Sequence, residues 1–257
     1  MIVPQPKDAV HKAWLYRTLT RIFDDAELAR VLYFKGGTCA AMLGYLDRFS
    51  VDLDFDYLGT DEFLPKTKLT LESIFTELGL TIHDQSTVVP QYFLKYEAPL
   101  HARNTMKIDV AILPPKANLY EKKRFNVIDR IITCQTIETM MANKLVALTD
   151  RYEHNESIAA RDVYDIHHFF IQGYRYSEAV IEERTGKQMV QFFTDLIVFI
   201  ENHITEEIIN QDLNMLLPPV TFSRLRKILK AETIMFLRDE VIRLGWDTWL
   251  YLKFGLG

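Results

Sequence analysis

Residues 33–57, YFKGGTCAAMLGYLDRFSVDLDFDY, decide the fold. A glycine pair, Gly36-Gly37, opens a short segment rich in alanine and leucine. Asp52, Asp54 and Asp56 then alternate with Leu53 and Phe55. Side chains on a strand point to opposite faces in turn. The three aspartates therefore share one face, and Val51, Leu53 and Phe55 share the other, toward a core. Desolvated carboxylates need partners, and a divalent cation is the most economical one. MKIDV (106–110) repeats the pattern, with Lys107 and Asp109 on one side and Ile108 and Val110 on the other. Two such strands side by side bring Asp52, Asp54 and Asp109 together as oxygen ligands for Mg²⁺, a hard cation that completes its shell with substrate phosphates. A second ion about 3.5–4 Å away would activate the attacking oxygen while the first steadies the leaving one. Asp56 is not read as a ligand; it extends the acidic rim at most. An EF-hand beginning at Asp52 is excluded, because Tyr57 and Phe63 stand where that loop needs Gly and Glu.

The glycine pair falls where a strand, VLYF (31–34), gives way to a helix, TCAAMLGYL (38–46), with Thr38 as the expected N-cap. Glycines let backbone N–H groups approach a phosphate, and a helix N-terminus adds partial positive charge. Thr38 offers a hydroxyl and Lys35 a cation. The spacing does not fit a P-loop, which requires GxxxxGK[ST]. A phosphate cradle next to a metal cluster points to a nucleoside triphosphate.

Outward from this stretch, apolar spacing near 3.6 predicts one or two helices over 8–30 and another over 62–78. Further strands are expected at 80–84, 87–97 and 104–113. From about residue 136 the texture becomes helical, with helices expected over 136–152, 157–171, 187–204 and 221–244. The reading is an α+β domain over 1–125 and an all-helical domain over 126–257. Net charge is −5, so nucleic acid would have to be met by local basic patches. Lys122-Lys123-Arg124 and SRLRKILK (223–230), with Arg226 and Lys230 on one face, are such runs, solvated surface by default. His167-His168 are adjacent on a helix and point about 100° apart, so they are read as structural or surface residues. Cys39 and Cys134 form no CxxC pair and are read as reduced thiols of a cytoplasmic protein. MIVPQPKDAV is not a signal peptide, and no apolar run approaches the ~20 residues of a membrane span.

KGGT followed by RFSVDLDF resembles the AbiEii/AbiGii toxin-type nucleotidyltransferases, members of the DNA polymerase β-like superfamily. Their G-[GS] turn, DxD strand and later carboxylate correspond to Gly36-Gly37, Asp52/Asp54 and Asp109, and Arg48 and Ser50 match the wording before the strand. ANKLVALTDR (142–151) resembles the family's lysine motif, with Lys144 and Arg151. ARDVYDIHHF (160–169) resembles its D-x-x-D motif, with Asp162 and Asp165. The resemblance covers about residues 31–170.

It implies a polymerase β-like core, a mixed sheet with flanking helices, followed by a helical domain. The implied activity is Mg²⁺-dependent transfer of a nucleoside monophosphate from an NTP to an acceptor hydroxyl. Asp52, Asp54 and Asp109 would bind metal, and Asp109 would help to deprotonate the acceptor. Lys35, Gly36, Gly37, Thr38, Arg48 and Ser50 would bind NTP. Lys144 and Arg151 would neutralise phosphate charge, with Asp162 and Asp165 orienting Lys144 or touching base or ribose. Relatives act as toxins beside a cognate antitoxin, and some modify the acceptor end of tRNA. The rival readings are an enzyme that modifies a small-molecule or protein hydroxyl, and a non-catalytic NTP-binding module.

Overall fold

The computed structural model describes residues 1–100 and 102–254. Their contacts divide the chain into a unit formed by residues 1–114 and 118–136 and a second formed by 115–117 and 137 onward.

In the first unit the helical stretch 8–30 is two helices, α1 (Asp8–Asp24) and α2 (Ala26–Val31). The break is chemical: Asp25 is extended, and its carboxylate accepts from Glu27 N and Leu28 N, capping α2. Helix α1 buries the stripe His11, Leu15, Thr18, Leu19 and Ile22. Strand β1 (Leu32–Lys35) leads into α3 (Gly36–Met42), and β2 is Asp52–Tyr57. Helix α4 (Leu64–Glu77), β3 (Thr81–Gln85), β4 (Gln91–Lys95) and β5 (Thr105–Ala111) follow as the spacing suggested. Two further strands, β6 (Tyr120–Phe125) and β7 (Arg130–Gln135), complete the sheet.

The seven strands run in the order β3-β4-β5-β2-β1-β7-β6. The pairs β2–β5 and β1–β7 are parallel and the others antiparallel, so the sheet is mixed. Phe34, Leu53, Phe55, Ile108, Val110 and Cys134 are buried on one face. The opposite face carries the polar members of the same strands.

Three expectations change here. Helix α3 begins at Gly36, so Lys35 holds the N-cap position and Thr38 lies inside the helix. The hairpin β6–β7 was not anticipated, and the boundary expected at 125/126 would cut it. Lys122-Lys123-Arg124 belongs to β6, an edge strand, where charge discourages pairing with another chain. The two cysteines, distant in sequence, are buried neighbours and free. Burial, then the adjacent Cys134, pushes the Cys39 thiol well above its ordinary pKa.

The second unit is helical: α5 (Ile137–Asn155), α6 (Ala160–Ile171), α7 (Glu178–Thr185), α8 (Met189–His203), α9 (Glu206–Leu213), α10 (Pro219–Leu225) and α11 (Leu229–Phe254). Helices α6 and α8 pack on α11, around Phe169, Phe193, Leu196 and Leu237, all buried. The helix expected over 221–244 is α10 and α11, with the break after Leu225. Arg226 ends α10 and Lys230 begins the next helix, so they do not share one helix face. Lys230 Nζ instead donates to the carbonyls of Glu201 and Ile204. No helix among the described residues is long and apolar enough to cross a membrane.

Candidate active site

The polar sheet face is organised in rows. Lys35, Asp54, Asp109 and Gln91 lie opposite one another across β1, β2, β5 and β4. The next row holds Asp52, Lys107 and Phe93, across β2, β5 and β4. Directly paired residues project to the same face, and neighbouring strands are ~4.8 Å apart. Asp52, Asp54 and Asp109, all partly exposed, therefore stand on adjacent strands of one face. The donor set is oxygen only, which suits Mg²⁺ rather than a soft metal. Among the described residues no three such side chains gather around one point. The Asp109 carboxylate accepts from Lys107 Nζ and from Gln91 Nε2 at 3.2 Å, which turns it toward β4. A cation bound by all three aspartates would have to replace the Lys107 charge.

The glycine turn is shaped around this row. Gly36 has φ +77°, and a Cβ there would lie 2.2 Å from Asp54 Oδ2. A Cβ on Gly37 would lie 2.7 Å from Arg48 Nη2 and 3.0 Å from Ser50 Oγ. Thr38 is fully buried; its hydroxyl lies 2.9 Å from Ser50 Oγ and 2.5 Å from the Asp52 carbonyl. Arg48 is buried, with Nη1 donating to Phe49 O at 2.9 Å, and Ser50 is buried beside it. Thr38, Arg48 and Ser50, expected to bind NTP, are buried and form the wall behind the turn. They tie the start of α3 to the start of β2, which sets where Asp52 and Asp54 project. His11 adds a second tie, with Nε2 2.9 Å from Val51 O. A carbonyl only accepts, so Nε2 carries the proton; Nδ1 faces the Tyr96 hydroxyl, which also lies 3.1 Å from the Arg103 carbonyl. Burial, reinforced by the Arg103 charge and opposed by the Val51 carbonyl, lowers the His11 pKa to about 4.

Asp56 corrects the expectation of an acidic rim. Its side chain is fully buried and accepts from four donors: Lys35 Nζ at 2.6 Å, Gln135 Nε2 at 2.6 Å, Tyr120 Oη at 2.9 Å and Asn118 Nδ2 at 3.2 Å. Burial, then the Asp56 charge, raises the Tyr120 pKa. Lys35, read as a free cation for phosphate, is therefore held by Asp56. Sequence reasoning missed Tyr120, Gln135 and Asn118. The alternation of Tyr120 with Lys122, and of Thr133 with Gln135, would have placed the two strand residues on the polar face.

In the helical unit the two downstream motifs meet. Lys144 on α5 lies 2.7 Å from Asp162 Oδ1 and 3.0 Å from Asp165 Oδ2 on α6. Arg151 Nε faces Asp162 Oδ2 at 3.3 Å, without hydrogen-bond alignment. Both aspartates are fully buried, whereas Arg151 is 40% exposed. Burial works to raise the Asp162 pKa, but Lys144 and then Arg151 outweigh it and hold it at about 2. His167, buried, is bound to Glu232 at 2.8 Å, and His168 stacks on Tyr164.

The sequence matches the family described as nucleotidyl transferase AbiEii toxin, type IV TA system, over residues 17–234. A search of curated proteins found no match. Among solved structures, MenT4, a nucleotidyltransferase toxin of Mycobacterium tuberculosis H37Rv, is similar, with a TM-score of 0.58 at 17% identity, covering 92% of this chain and 87% of that one. JHP933 from Helicobacter pylori superposes with a TM-score of 0.56 at 18% identity, covering 95% and 96% of the two chains. At these identities the structural likeness carries the fold: a mixed sheet with helices, followed by a helical region.

Proposed function

Because the chain belongs to the AbiEii family of nucleotidyltransferase toxins, we propose that it moves a nucleoside monophosphate from an NTP to the 3′ end of tRNA. Membership itself implies an NTP substrate and a cognate antitoxin. The observation that carries the chemical reading is the register of Asp54 with Asp109, next to Asp52, on an open sheet face. The acceptor hydroxyl oxygen attacks the α-phosphorus. The bond from that phosphorus to its bridging oxygen breaks, and pyrophosphate leaves. Asp109 takes the hydroxyl proton. Asp52 and Asp54, with Asp109, would hold Mg²⁺, which when bound neutralises phosphate charge and polarises the reacting oxygens.

Gly36 and Gly37 offer backbone N–H groups to the triphosphate, and their lack of Cβ keeps Asp54 and Arg48 in place. Lys35, neutralised by Asp56, positions the turn rather than drawing phosphate in. Lys144 and Arg151 are the cations of the helical unit that would neutralise phosphate charge; Asp162 and Asp165 balance them and hold the lysine in a single orientation. The reaction belongs to the cytoplasm, where NTP, Mg²⁺ and tRNA occur together.

The test is incubation of the whole chain with each labelled NTP in turn, Mg²⁺ and total tRNA, analysed by gel and mass spectrometry. The expected product is tRNA heavier by one or more nucleoside monophosphates, absent with Asp54→Ala. Label that appears only on protein or on a small molecule would replace tRNA as the acceptor. Absence of label in every fraction with every NTP would refute the transferase reading.

A further inference from the structure

Phe93 is an exposed aromatic residue of the polar sheet face that no part of the chemistry above uses. Phe93, on β4, projects from the same face as the three aspartates and is 38% exposed. It is the direct partner of Lys107, whose ammonium lies 5.9 Å from its ring centroid and binds Asp109. Lys95, two residues along the same strand and exposed, shares that face. An exposed aromatic ring beside lysines is one of the elements that bind single-stranded nucleic acid, where bases stack on rings and cations meet phosphates.

The order of strands says which substrate this ring meets. Carboxylates occupy β2 and β5 at the centre of the row. The glycine turn follows β1 on one side of them, and Phe93 stands on β4 on the other. In an in-line displacement the attacking and leaving oxygens lie on opposite sides of the phosphorus. With the triphosphate at the glycine turn, the leaving pyrophosphate is on the β1 side, and the acceptor must approach from the β4 side. Strand spacing puts Phe93 about 5 Å beyond β5 and about 10 Å beyond β2. We propose that Phe93, flanked by Lys95 and Lys107, is the platform on which the terminal base of a single-stranded RNA acceptor stacks. The assignment rests on the nucleotidyltransferase reading with a nucleic-acid acceptor. A stacking platform tolerates any base, since every base has a π face, so Phe93 contributes affinity and placement rather than sequence choice.

The experiment uses the whole chain and a short single-stranded RNA whose last base is a fluorescent purine analogue that is quenched on stacking. Wild type is expected to quench it. Phe93→Ala is expected to abolish the quench and weaken binding about tenfold, whereas Phe93→Trp keeps both. Because Phe93 is partly exposed, the alanine variant should retain the fold, as checked by its melting curve. In the transfer assay Phe93→Ala should raise KM for the acceptor and leave KM for the NTP unchanged. A wild-type protein that does not quench, or an alanine variant that quenches equally, overturns the platform. A fluorescent NTP that loses its quench in Phe93→Ala, while the RNA does not, assigns the ring to the donor and also overturns it. Loss of the RNA quench without transfer in wild type would keep the platform and refute the transferase reading. Transfer with an unchanged acceptor KM in Phe93→Ala would do the reverse.

Discussion

A methyl group on Gly36 would fall 2.2 Å from Asp54 Oδ2, on a backbone whose φ is +77°. The substitution Gly36→Ala therefore both strains the turn, by roughly 1–2 kcal/mol, and pushes the Asp54 carboxylate off its row. Gly37→Ala meets only the far end of the Arg48 side chain and the Ser50 hydroxyl, which can shift. Transfer should fall at least about tenfold in Gly36→Ala and much less in Gly37→Ala; equal losses would show that the turn does not serve Asp54. Asp56 invites a second substitution. Asp56→Asn removes the charge that balances Lys35 and leaves donors from Tyr120 and Gln135 facing an amide. It should destabilise by roughly 3–5 kcal/mol, as loss of one partner from a buried pair does. In urea titrations, Lys35→Met should cost much less on top of Asp56→Asn than alone, because the two charges are coupled. Simple additivity would argue against the pair. The sequence displayed Asp52, Asp54 and Asp109 through their period of two, and it displayed Asp56 equally well. It could not separate them, because Asp56 owes its burial to Tyr120 and Gln135, which stand 64 and 79 residues further along the chain.

Elements differ in how much of themselves they write into sequence. Strands β2 and β5 alternate cleanly because one face is core and the other polar. The hairpin β6–β7 does not: YEKKRF is an edge strand whose charges read as a basic run. Helices α7 and α9, at eight residues each, are too short for a periodic signal to stand out. The α5–α6 pair is the opposite case, since Lys144, Asp162 and Asp165 were placed on helices that do bring them together. Its charge cluster makes a pH prediction. Asp162 has its pKa lowered from 3.8 to about 2, so the folded state favours its ionised form. The resulting stability is present above about pH 4 and is lost as pH falls toward about 2, amounting to about 2 kcal/mol. Urea titrations over that window should show wild type losing this much more than Asp162→Asn. His11 acts at higher pH: its pKa falls from 6.5 to about 4, so the fold favours the neutral ring and loses stability as pH drops through that range. Parallel slopes for wild type and Asp162→Asn below about pH 4 would mean the cluster is not the source.

The whole molecule carries a net charge of −5, so its overall field gives polyanionic substrates no general attraction. Phosphate would have to be met by a few placed cations; the proposed ones are Lys107 and Lys95 on the sheet and Lys144 and Arg151 on the helices. If both units serve one reaction, damage in either should remove the same activity without unfolding the other. Asp54→Ala should reduce transfer to background. Lys144→Ala should reduce it by about a hundredfold or more, the scale seen when one charge-stabilising donor is removed from an active site. It should also weaken triphosphate binding more than nucleoside binding, because an ammonium is aimed at phosphate. Lys144→Arg should recover only part of the loss, since a planar fork does not replace a compact point charge held between Asp162 and Asp165. The double variant Asp54→Ala/Lys144→Ala should be no slower than Asp54→Ala alone, as expected for residues that act as a unit. Because Lys144 balances two buried carboxylates, the alanine variant must first be shown to melt as a folded protein at neutral pH. A folded Lys144→Ala chain with full transfer would confine the chemistry to the sheet unit and leave the helical charge cluster a structural one.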